Sequence, residues 1–232
     1  DLNDDMLGWK VRAALRAGNT PKWPVVESAI SHMSAEARKA PTWVYWYARA
    51  LLARKKVTPQ IQQEANAMLE GIAGVRSFYE QLALEELGRK VTAPARPPAP
   101  NNEEMDTARR NPSLQRALYA IKMGLRSEGV REWNYGTNLV DAQGKAGMMS
   151  DRELLAAAQV ACDNQVWDRC INTSERTRAV IDFEQRFPMP HKDAVIARSK
   201  AINLDPAYVY GLIRQESRFV TDARSHVGAA GL

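Results

Sequence analysis

The stretch from Ala207 to Leu232, AYVYGLIRQESRFVTDARSHVGAAGL, holds the residue whose type and position best suit catalysis. Val209, Leu212 and Ile213 recur at i, i+3 and i+4, the period of a helical stripe that faces a core, and position i+7 of that stripe is Glu216. Burial disfavours a charged carboxylate, so a glutamate on such a stripe should keep its proton up to pH ~6, as a general acid at neutral pH requires. A glutamate there can also be a helix-end residue whose stem packs while its head reaches water. Asp205 and Pro206 mark the helix start, because Asp accepts from free N–H groups of the first turn and Pro fits the first helical position. After the helix, Gly228, Ala229, Ala230 and Gly231 carry almost no side chain, which lets backbone approach a ligand or another helix closely. The other acid near Glu216 is Asp222, on an expected exposed turn.

Other chemistries find little support. His32, His191 and His226 are scattered, and no HExxH, CxxC or Asp-rich loop occurs, so neither a metal nor a cofactor is expected. Cys162 and Cys170 flank a turn at Asp163-Asn164-Gln165, where they can be two small buried thiols or a bridge between antiparallel helices. The net charge of +5 would favour any anionic partner, but so modest an excess is also that of an ordinary solvated surface. No apolar run approaches the ~20 residues needed to span a membrane, and the start, DLNDDMLGW, lacks the regions of a signal peptide. The chain is therefore expected either to be cytosolic or to have lost a signal.

The elements that must position Glu216 read as helices throughout, an all-α protein. Gly8–Gly18, Trp43–Arg54, Phe78–Gly88 and Leu114–Gly124 end at intervals of 34 to 36 residues, the spacing of helix-hairpin repeats that stack into a solenoid superhelix. A fifth unit starts at Leu154. Trp43, Trp46, Tyr47, Ala50 and Leu51 form a wide aromatic face that is expected to fill space between helices, and Trp9 and Trp23 are expected to do the same. Ala93 to Pro100, APARPPAP, cannot be helical and reads as a stiff linker or extended bridge.

The end of the chain resembles the opening of the catalytic domain of the soluble lytic transglycosylases, goose-type-lysozyme-like enzymes that cleave peptidoglycan. Their pattern is an apolar helix ending in Glu-Ser, a turn with Ala and Ser, then Gly-Ala-x-Gly-Leu, matched here by Glu216-Ser217, Ala223, Ser225 and Gly228 to Leu232. REWNYG (Arg131 to Gly136), INTSERTR (Ile171 to Arg178) and RFPMP (Arg186 to Pro190) resemble the linker domain of the same enzymes, although His191 stands where an aromatic residue usually follows.

The resemblance implies a C-terminal part of an α-superhelical domain over residues 1–92 and a Pro-rich linker over 93–100. A helical linker domain over 101–187 and the start of a lysozyme-like catalytic domain over 188–232 would follow. It implies further helices upstream, most of the catalytic domain beyond Leu232, an inactive isolated chain whose last stretch is its least ordered part, and an oxidising periplasm that would favour the Cys162–Cys170 bridge. In the family reading Glu216 protonates the bond between N-acetylmuramic acid and N-acetylglucosamine. The substrate's acetamido group assists, and the carboxylate then takes a proton from the C6 hydroxyl to close a 1,6-anhydro ring. Ser217, Ser225, Gly228 and Ala229 would contact the glycan, with local helix-end or turn bonds as the other reading of the two serines. Arg214 and Arg218 read as surface or interdomain partners.

Peptidoglycan is the implied partner, together with other cell-wall enzymes, without nucleic acid or stable membrane insertion. Alternatives are a solenoid scaffold that binds peptides without catalysis, a repeat protein that reads RNA, and a lysozyme-type hydrolase sharing the glutamate. The RNA reading lacks a recurring polar pair able to read a base.

Overall fold

The computed structural model describes residues 2–139, 147–225 and 227–228. Among them there are helices and no β-strand, and no helix is long and apolar enough to cross a membrane. The chain divides into two compact units, Asp1–Ala93 and Pro94–Leu232.

The first unit contains α1 (Asp4–Leu15), α2 (Trp23–Ser31), α3 (Pro41–Leu52), α4 (Pro59–Ile72) and α5 (Phe78–Glu86), with a 3-10 turn at Ala37–Lys39. Polar side chains start three of these helices: Asn3, Thr58 and Ser77 accept from the backbone N–H groups of Met6, Ile61 and Glu80. Hairpins α1/α2 and α3/α4 follow the expected rhythm, and α5 packs on α3 and α4. Val11, Val26, Ala29 and Ile30 form one core, and Tyr45, Ala48, Leu51, Ala65, Leu69 and Ala83 form the next.

The aromatic face of α3 lies where these two cores meet. Ala50 and Leu51 are buried, Trp43, Trp46 and Tyr47 are half-buried, and Trp46 meets Tyr45 edge-on at 5.2 Å. Trp23 is half-buried against the first core. Trp9 departs from expectation, because it is 63% exposed. It stands on the outer side of α1, with the Arg12 guanidinium 5.0 Å from its ring and 5.5 Å from that of Trp43. A cation between two rings accounts for its position without burial.

The second unit contains α6 (Asn102–Arg110), α7 (Pro112–Lys122), α8 (Arg126–Asn138), α9 (Asp151–Asp163), α10 (Trp167–Ser174), α11 (Phe183–Arg186), α12 (Lys192–Ala201) and α13 (Pro206–Ser217). The helix expected at Leu114–Gly124 is α7, and it forms a hairpin with α8 inside this unit.

The Pro-rich segment is extended and tied down. The Arg152 guanidinium donates to the carbonyls of Pro98 (2.6 Å) and Ala99 (3.1 Å) and pairs with Glu104, while Arg96 pairs with Asp182 and Glu184. The hydrogen bond from Arg152 holds the Glu104 carboxyl below the usual range for a glutamate, and Glu104 raises Arg152 in return.

Buried apolar residues of α6 to α10 form one core. Trp133 is fully buried and its indole N–H donates to Thr173 Oγ1 at 2.9 Å. Helices α7 and α8 cross closely because a Cβ at Gly129 would meet the Ala117 carbonyl at 2.6 Å, and one at Gly136 would meet Ser113 Cβ at 2.7 Å. Cys162 and Cys170 are bridged, which links α9 to α10.

Candidate active site

Helix α13 begins as its sequence predicts. Asp205 Oδ1 accepts from the Ala207 N–H at 2.8 Å and Pro206 occupies the first turn. Its end is abrupt. Arg218 and Phe219 both take the left-handed conformation, at φ 49° and 63°, immediately after Glu216-Ser217. That conformation is unfavourable for side chains with a Cβ and persists where surroundings enforce it. Here Phe219 is buried, with its ring 6.1 Å from that of Tyr210, and Arg218 is paired with Glu175 at 3.2 Å.

The stripe leading to Glu216 is less covered than its period implies. Val209 and Ile213 are half-buried, Leu212 is 51% exposed and Glu216 itself is exposed. The reason is the packing of α13: α12 lies against it, is itself mostly exposed, and leaves one side of the stripe to solvent. The buried setting expected for Glu216 is thus not found among the described residues.

Ser217 is half-buried and its hydroxyl donates to the Ile213 carbonyl at 3.3 Å, the local helix-end bond. Ser225 is exposed, and its carbonyl accepts from the Gly228 N–H at 3.0 Å in a turn. Gly228 has φ 84°, a conformation that suits glycine, and a Cβ there would meet nothing within 4 Å. Ala229 lies outside the described residues, as do Ala230, Gly231, Leu232 and His226. Asp222 sits on an exposed turn, as expected.

What sequence reasoning missed is the set of residues that holds the C-terminal end of α13. Arg214 donates through Nε to the Arg186 carbonyl (2.7 Å) and through Nη2 to Glu175 Oε1 (2.5 Å), and its guanidinium lies 4.5 Å from the centre of the Phe187 ring. Arg218 takes Glu175 Oε2. Tyr210 donates to the Pro190 carbonyl at 2.9 Å, and burial, with the nearby Asp193 carboxylate, raises its phenol above the usual range. The sequence marks Arg214 and Arg218 as surface or interdomain partners, but nothing in their local pattern names Glu175, 39 positions before Arg214. Both oxygens of Glu175 are engaged by arginines. Among the described residues no group of three or more His, Cys, Asp or Glu side chains could hold a metal ion.

No protein-family profile matches the chain. A soluble lytic murein transglycosylase of Escherichia coli is 26% identical over 249 aligned positions, covering all of this chain and 36% of that protein. The chain thus spans about a third of the length of the curated relatives it matches. Among solved structures, an inactive glutamate-to-glutamine variant of the lytic transglycosylase Slt from Pseudomonas aeruginosa is 27% identical with a TM-score of 0.74, over 99% of this chain and 35% of that one. The 70-kDa soluble lytic transglycosylase of Escherichia coli shares the fold, with a TM-score of 0.71 at 22% identity, over all of this chain and 34% of that one. Along nearly its whole length, then, this chain is similar in sequence and in helical fold to the soluble lytic murein transglycosylases, the family that its motifs resemble.

Proposed function

We propose that this chain is part of a lytic transglycosylase that cleaves the β-1,4 bond between N-acetylmuramic acid and N-acetylglucosamine in peptidoglycan and leaves a 1,6-anhydro-muramic end. Glu216 is the acid that protonates the glycosidic oxygen, and its carboxylate then accepts the C6 hydroxyl proton, so no water is consumed. The observation that carries this reading is Glu216-Ser217 at the end of a capped helix, in a chain similar to such enzymes along nearly all its length. A relative described as an inactive glutamate-to-glutamine variant fits a reaction that depends on one glutamate.

In this reading residues 1–92 belong to a superhelical domain, 93–100 to a linker, 101–187 to a helical linker domain and 188–232 to the beginning of a lysozyme-like domain. Ser217, Ser225, Gly228 and Ala229 contact the glycan. The site of action is the periplasm, where the bridge between Cys162 and Cys170 is stable. Mass spectrometry of peptidoglycan digested by the full-length protein tests the reaction. Muropeptides one water lighter than hydrolysis products are expected, and hydrated reducing ends as the main initial product would replace this reading with a lysozyme.

A further inference from the structure

We propose that Glu175, Arg214 and Arg218 are positioning residues: a carboxylate clamped between two arginines that sets where α13 presents Glu216. The inference rests on the reading of Glu216 as the acid.

Helix geometry makes the arrangement consequential. Two residues apart on an α-helix means about 3 Å along the axis and about 200° around it, so Arg214 and Glu216 project to nearly opposite sides. Fixing the Arg214 side against the rest of the unit therefore aims the Glu216 side outward, where a glycan would lie. A carboxyl about 5–6 Å from the helix axis moves by about 1 Å for a rotation of roughly 10°, and a misplacement of that size can cost about 10² in rate. Apolar packing does little to prevent such a rotation here, since no residue of α13 is fully buried.

The clamp works because its anchor is itself held. Glu175 caps the end of α10, and α10 is fixed by the Cys162–Cys170 bridge and by the indole of Trp133 on Thr173. The second acceptor, the carbonyl of Arg186, is fixed by its own side chain: the buried Arg186 guanidinium donates to the Ser174 carbonyl (3.0 Å) and to Thr177 Oγ1 (2.9 Å). Both acceptors for Arg214 thus belong to one cross-linked piece of chain. Arg214 meets it with two donors in a rigid planar fork and stacks on Phe187, which a lysine cannot reproduce. Arg218 adds the second oxygen of Glu175 and holds the left-handed turn that directs the chain away after Ser217.

The test compares Glu175→Gln, Arg214→Lys and the double variant in the full-length protein, with Glu216→Gln alongside. Expected for each single variant is a fall in kcat of about tenfold to a hundredfold with KM within about twofold. Amide exchange should rise in α13 while the peptides of α7 to α10 stay protected, and the double variant should be little worse than either single one. Should Arg214→Lys fail to fold, the nearly isosteric Glu175→Gln decides alone. A Glu175→Gln protein with unchanged kcat, beside a silent Glu216→Gln protein, overturns the clamp and leaves the proposed function standing. An active Glu216→Gln protein removes that function and the clamp with it.

Discussion

Helices α9 and α13 belong to one compact unit and are held there by different forces. Helix α9 buries Leu154, Leu155, Ala156, Ala157, Ala158, Val160 and Ala161, while α13 buries no residue and is tied by Arg214, Arg218 and Tyr210 to polar partners. Apolar burial is non-directional and supplies most of a fold's stability. Hydrogen-bonded ion pairs supply less, yet they specify orientation. The contrast suits the role proposed for α13, to present one carboxyl group.

If this contrast is right, the largest loss of stability comes from the apolar side. Trp133→Ala should cost about 3–5 kcal/mol in urea unfolding, since it empties a fully buried site and strands the Thr173 hydroxyl. Gly129→Ala should cost about 1–3 kcal/mol, because the added methyl meets the backbone of α7.

A smaller and pH-dependent loss is expected where Arg152 fastens the Pro-rich segment. The folded state depresses the Glu104 carboxyl below its ordinary value of about 4.5, so its stabilisation is complete above that value and is lost as pH falls through the lower folded value. Urea midpoints measured from roughly pH 5 to 3 should therefore fall more steeply for the unmodified protein than for Arg152→Met. Smallest of all, Leu212→Ala should change stability by no more than about 0.5 kcal/mol, although its place on the stripe suggests a core residue. A loss comparable to that of Trp133→Ala would mean that α13 is held by burial after all.

The features legible in the sequence were local ones. Asp205-Pro206 begins a helix where its chemistry says it should, and the same pairing of a polar residue with proline starts α4 at Thr58-Pro59 and α7 at Asn111-Pro112. The two cysteines flank a turn tight enough for the bridge that joins them. Periodicity finds the apolar face of a helix but not whether another element covers it, and Trp9 and Leu212 both lie on faces left open. The clamp was out of reach because Glu175 and Arg214 meet only once α10 and α13 have been packed together.

The central claim is that Glu216 carries the proton in a single-acid reaction. Turnover of peptidoglycan by full-length Glu216→Gln measures it directly, since the amide keeps the shape of the side chain and cannot give up a catalytic proton. A fall of at least about 10² to 10⁴ in kcat with glycan binding retained is the predicted result. A variant that keeps more than about a tenth of the activity would show that the acid is another residue.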